Sequence, residues 1–196
     1  MTPQDIAQTL NARFGDACSQ EADQVWQIDQ PEFRLLAILS EDQSWLRLLV
    51  PIVPAAEARP LINQVLEANF ETTQMTRYAL HDDVLWGVYQ QERDSLSAER
   101  LHRAIDQLLS MKQAGVEPFF NTILETQLRQ IIIAAKLQGQ SMETTLQTID
   151  RFYAEGMMGD MQNGSYGEKA LEAWRAQLAR LWPEVELPEG VGNGQS

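Results

Sequence analysis

Two histidines, one cysteine and a surplus of carboxylates are the side chains of this sequence most able to do chemistry. His81, Asp82 and Asp83 stand together and offer three ligands to a metal ion. The competing account is a polar hairpin tip, because aspartate tolerates the backbone geometry that tight turns demand. We favour the tip, since a metal site needs further convergent ligands and no other His or Cys lies near in the sequence. His102 stands beside Arg103 in a helical run and reads as part of a solvated face. Cys18 has no neighbouring histidine to make it a nucleophile and reads as a small residue in a loop. No G-x-x-x-x-G-K-[ST] loop, G-x-G-x-x-G turn or G-x-S-x-G elbow occurs. With 28 Asp and Glu in the chain, close carboxylate pairs are inevitable, but acid–base catalysis needs two carboxyls held in different environments. The sequence singles out no such pair, so no catalytic, cofactor-binding or metal-ligating residue is assigned and no cofactor is expected.

Charge narrows the function further. The formal net charge is −13, and the excess is spread over both halves of the chain. Lys112, Lys136 and Lys169 are the lysines. A nucleic-acid binder needs a basic footprint to displace counterions from phosphate, and an anionic membrane surface makes the same demand. Neither partner is expected. There is no 18-residue apolar run to span a bilayer. The start MTPQDIAQTL has neither the basic nor the apolar region of a secretory signal. A single cysteine, unable to form an internal disulfide, fits a reducing compartment. The expected location is the cytoplasm.

The elements that would position any site follow from punctuation and period. Thr2, Pro3 and Asp5 open a first helix with the marks of a capping box, and Ile6, Leu10 and Phe14 make its apolar stripe up to Gly15. Three strand-like runs follow: Val25–Asp29, Glu32–Leu39 and Ser44–Val53. The short polar turns between them imply antiparallel neighbours. Pro54 or Pro60 opens a second helix with Leu61, Ile62, Val65 and Leu66 on its stripe and Asn69 as its closing cap. Gln74–His81 and Val84–Gln90 read as a hairpin about Asp82-Asp83. A third helix spans about 97–114. Three more helices are expected over 117–182, on Phe120, Leu124, Leu128, Ile131, Ile132 and Ala135, then Leu146 and Ile149, then Leu171, Trp174, Leu178 and Leu181. Met157, Met158 and Met161 lie in a glycine-rich connection. Methionine there either tucks onto the core or offers an adaptable binding surface; we favour the first and keep the second as a candidate. The predicted division is an α+β domain at 1–115, a helical extension at 116–182 and a disordered tail at 183–196.

The order α-β-β-β-α-β-β-α resembles the type III secretion chaperone-like fold, shared by secretion chaperones and YbjN-like proteins. The helix end Val65-Leu66-Glu67-Ala68-Asn69-Phe70 looks like the close of that family's second helix. The hairpin Tyr78-Ala79-Leu80-His81-Asp82-Asp83-Val84-Leu85-Trp86 follows at a similar spacing. The resemblance covers about residues 1–115, and the helices from Glu117 onward are additional to it. It implies a homodimer that binds partner polypeptides without chemistry of its own.

One pattern bears on function directly. Antiparallel sheets usually keep one face wet, yet the second and third strands are apolar at successive positions. Leu36, Ile38, Leu46, Leu48 and Val50 are expected to make a second apolar face, opposite Phe33, Leu35, Trp45 and Leu49. Leaving it bare would expose a large sticky patch. The helices of 117–182, a second subunit or a client segment are the three candidate covers. The expected function is a non-enzymatic protein-binding module, chaperone-like or an assembly adaptor, whose partner is another protein or itself. The alternative is a small-molecule sensor or an enzyme with an unrecognised carboxylate-based site.

Overall fold

The computed structural model describes residues 1–155 and 166–187, with the side chains of 152–154, 166–171 and 173 excepted. Met157, Met158 and Met161 lie outside the described residues. The chain divides into two units, 1–120 and 121–196.

Unit 1 starts with helix α1 (Pro3–Phe14). Thr2 caps it as expected: its hydroxyl accepts from Asp5 N–H at 3.1 Å, and Asp5 Oδ2 accepts from Thr2 N–H at 2.7 Å. Strands β1 (Cys18–Ala22), β2 (Val25–Gln30), β3 (Phe33–Leu39) and β4 (Trp45–Pro54) follow. Next come a short helix α2 (Ala55–Ala58), a 3₁₀ turn carrying Pro60, and α3 (Ile62–Glu71). Strands β5 (Thr76–His81) and β6 (Val84–Glu92) form the second hairpin, and α4 (Ala98–Ala114) closes the unit on Gly115. The result is a wholly antiparallel six-stranded sheet in the order β1-β2-β3-β4-β6-β5 with helices against it, the α+β class the sequence predicts.

Two local expectations are corrected, and a proline inside a strand is explained. The sheet has six strands, not five, because Cys18–Ala22 pairs with β2 and places Cys18 on a strand rather than in a loop. Asn69 does not end α3, which runs to Glu71. Its side chain instead acts as a miniature strand: Nδ2 donates to Tyr78 O at 3.1 Å and Oδ1 accepts from Tyr78 N–H at 2.7 Å. Both outward backbone groups of Tyr78, on the edge strand β5, are thereby satisfied. Finally, Pro51 stands within a central strand, where proline would cost a ladder bond. It is accommodated because β3 pairs with β4 only up to Leu49 and the β4–β6 register slips between Pro51 and Val53. Lys112 Nζ donates to the Ile52 carbonyl at that irregularity, 3.0 Å away.

In the second unit, α5 (Glu117–Leu137, whose first turn belongs to unit 1), α6 (Met142–Ala154) and α7 (Tyr166–Leu181) are helical. No strand occurs past Pro118 among the described residues. Leu124, Leu128, Ile132, Ile149, Trp174, Leu178, Leu181 and Val185 form its core. Val185 corrects the tail, since the start of the supposedly disordered segment is packed. Lys136 Nζ holds it by donating to the carbonyls of Trp182 and Val185, each at 2.7 Å. In α5 the buried aromatic is Phe119, edge-on to Tyr78 at 5.4 Å, whereas Phe120 is exposed. Glu125 lies between Arg129 and Arg180, 2.9 Å from each. These contacts, Arg129 foremost, hold its carboxyl below the usual range.

Candidate protein-binding face

Cross-strand partners in an antiparallel sheet share a face. One lateral row runs Trp26, Ala37, Leu48, Tyr89 and Thr76 from β2 to β5. All five are buried. Ile28, Leu35, Leu39, Leu46, Val50 and Leu85 belong to the same inner face, and α4 packs on it across β4, β5 and β6. Gly87 marks how closely the helix lies. A Cβ there would stand 3.2 Å from Leu108 Cδ2 and 3.6 Å from Met111 Cε.

The neighbouring row, Gln27, Leu36, Leu49, Val88 and Arg77, lies on the outer face. Ile38 opposite Arg47 flanks it on one side, and Trp86 opposite Ala79 flanks it on the other. Leu36, Ile38, Trp45, Leu49 and Trp86 are half-buried. A groove of about 290 Å³ opens here, lined only by strand residues: Arg47 and Leu49 of β4, Arg77, Ala79 and His81 of β5, and Trp86 and Val88 of β6.

This geometry corrects the expected composition of the second face. Leu36 and Ile38 stand on it, but Leu46, Leu48 and Val50 do not. Those three are fully buried on the inner face, where a partner could reach them only by unfolding the unit. The error is one of parity. Leu39 pairs with Leu46 across the turn, so even-numbered residues of β3 face odd-numbered residues of β4. Leu49 is therefore the β4 leucine of the outer face, and Val88 and Trp86 extend it. Their signal was present in the alternation of Val84–Gln90, but a strand's own alternation does not say which set faces out.

The outer face is also where arginine gathers. Arg47 is set in place: its Nε and Nη2 donate to Gln90 Oε1 at 3.1 and 2.9 Å, and its guanidinium lies 4.8 Å from the centre of the Trp45 ring. Arg77 is exposed and has no carboxylate partner among the described residues. The Trp86 indole is fixed by its N–H, which donates to the His81 carbonyl at 3.0 Å.

The remaining chemistry-bearing residues do not converge on a site. His81 is exposed at the corner of the groove and lies 3.3 Å from Asp82. Asp82 and Asp83 have φ of 46° and 58°, the left-handed pair that a two-residue hairpin turn requires. Among the described residues no three His, Cys, Asp or Glu are placed to hold a metal. His102 is half-buried on α4, more enclosed than a solvated face, because Arg13 reaches its carbonyl at 3.3 Å and Asp106 at 2.6 Å. Burial pushes the Cys18 thiol pKa up, away from a reactive thiolate. No helix among the described residues is long and apolar enough to cross a membrane.

No protein-family model matches the chain, and no curated protein matches it. Solved structures do align with it. A chain of the HopA1–SchA chaperone–effector complex is 14% identical with a TM-score of 0.45, over 56% of this chain and 88% of that one. A chain of the ExoU–SpcU heterodimer from the type III secretion system of Pseudomonas aeruginosa is 19% identical with a TM-score of 0.46, over 58% and 96%. A chain of the Yersinia pestis type III secretion chaperone SycH in complex with a fragment of YscM2 is 12% identical with a TM-score of 0.45, over 58% and 99%. At these identities and TM-scores, none of the likenesses assigns this chain a partner.

Proposed function

We propose that this protein is a non-enzymatic, chaperone-like binding module or assembly adaptor that holds a segment of a partner protein on the outer face of its sheet. The observation that carries the reading is the apolar band Leu36, Ile38, Leu49 and Trp86, half-buried around a buried Val88, on the face opposite α4. Burying a leucine fully contributes roughly 1.5–3 kcal/mol, so the exposed remainder of such a band favours a cover. A photo-crosslinking residue at Ile38, in the cell that makes the protein, should yield protein adducts, while one at exposed Glu99 on α4 should not. Leu49→Asp should abolish the Ile38 adducts without unfolding the chain. Equal labelling from both positions, or adducts indifferent to Leu49→Asp, would overturn the reading. The setting that fits its single cysteine is the cytoplasm.

A second surface favours self-association. Leu66 and Phe70, one turn apart on α3, are 59% and 93% exposed. We infer that α3 pairs two copies of the chain. Light scattering should report a dimer that Phe70→Asp converts to monomer; a wild-type monomer at working concentration would refute this.

A further inference from the structure

We infer that the groove over β4, β5 and β6 selects an acidic partner segment, one in which a large apolar side chain is flanked by aspartate or glutamate. This deepens the proposed function and rests on that reading. Its basis is the contrast between the groove and the rest of the molecule. The chain carries 28 acidic and 15 basic side chains, so an average patch of its surface repels anions. The groove lining holds Arg47, Arg77 and His81 and no carboxylate. Its floor, Leu49, Ala79 and Val88, is apolar, and the fixed Trp86 ring makes one wall. The two guanidiniums stand at opposite sides of that floor, since Leu49 pairs with Val88 and Val88 with Arg77, while Arg47 lies one pair further along β4.

Arg47 is pre-organised for the task. Gln90 engages Nε and Nη2, leaving Nη1 with no partner among the described residues. The neutral Gln90 amide orients the guanidinium without neutralising it. A carboxylate there would satisfy Arg47 internally, as Asp29 does for Arg34 on the same face. Bidentate capture of carboxylate is what a guanidinium does best, and desolvation beside an apolar floor strengthens it. At about 290 Å³ the groove is at the small end of ligand sites, which suits a few residues of an extended or helical segment. Acidic and amphipathic is therefore the charge complement of this one face, whereas a basic segment would suit the remaining surface.

The test is fluorescence anisotropy on the full chain with three labelled dodecapeptides. One alternates glutamate with leucine and phenylalanine, one replaces each glutamate by glutamine, and one replaces it by lysine. The acidic peptide should bind tightest and weaken as salt is raised. Arg47→Gln and Arg77→Gln should each weaken it about two- to fivefold, the range of exposed ion pairs, and leave the glutamine peptide unchanged. Arg103→Gln, which alters an exposed arginine on α4, should change neither. Equal or tighter binding of the glutamine or lysine peptide, or arginine variants without effect, would overturn the inference. That failure is distinct from failure of the binding function, which the Ile38 adducts and Leu49→Asp report on their own.

Discussion

The assignment of faces can be tested by comparing Leu48→Ala with Leu36→Ala. Leu48 is 0% exposed, with Ala37 beside it on β3 and Tyr89 beside it on β6. Truncating such a leucine removes its transfer free energy and leaves a cavity that rigid neighbours fill only in part, which costs about 3–5 kcal/mol. Leu36 is half-buried on the outer face. Its truncation removes less area from contact and leaves a dent open to water, so about 1 kcal/mol is expected. The two substitutions are chemically the same and lie on adjacent strands, so the difference, roughly 2–4 kcal/mol, isolates the face. Urea unfolding, with the slope checked for constancy, measures it. Equal losses would refute the register-based assignment and restore the parity read from the sequence, which puts both leucines on one face, and a larger loss at Leu36 would invert the two faces.

Other outcomes follow from the same geometry. Asn69→Ala leaves the Tyr78 N–H and carbonyl without their partners and should cost about 1–3 kcal/mol in urea unfolding; a loss below about 0.5 kcal/mol would mean the clasp is ornamental. Asp42 accepts from the Ser40 hydroxyl and from the Ser44 backbone and hydroxyl, which lowers its pKa from 3.8 to about 2. Because the folded value is the lower one, its stabilising effect is present above pH 3.8 and fades as pH falls towards 2. An NMR titration should find that midpoint and should find it raised by Ser40→Ala; an Asp42 midpoint near 3.8 would contradict the turn geometry. Gly87→Val should destabilise unit 1, since even a Cβ meets Leu108 at 3.2 Å; thermal melting that is unchanged would show that α4 lies farther off than described.

Much of the architecture is legible in the sequence because it rests on local rules. Capping residues and i, i+4 stripes locate α1 and α4, and alternation locates β2, β3, β4 and the β5–β6 hairpin. Strand β1 is invisible by the same rules. Cys-Ser-Gln-Glu-Ala has no β-branched or aromatic residue, and only the ladder to β2 makes it a strand. The candidate face is half legible. Apolar residues at successive positions announce two buried faces, but deciding which leucine belongs to which face needs the pairing across the Ser40–Ser44 turn, a tertiary fact. The arginines escaped notice because Arg47 and Arg77 are thirty residues apart in sequence and become neighbours only through β6. Val185 was missed because Pro183 reads as a stop, although the chain beyond it folds back onto the helical core.

The Asn69 clasp has a consequence for assembly. A sheet with two free edges is a monomer unit for a fibre, because each added copy presents a fresh edge to the next. Here the β5 edge is occupied at Tyr78 by the protein's own side chain, while β1 lies at the other end of the sheet. With the β5 edge blocked at Tyr78, two copies can join strand to strand without displacing that clasp by running β1 against β1. That contact uses the same patch twice, obeys a twofold axis and leaves no edge over. Growth beyond such a pair has to displace the Asn69 side chain from Tyr78, so one polar residue in the last turn of α3 opposes further extension of the sheet.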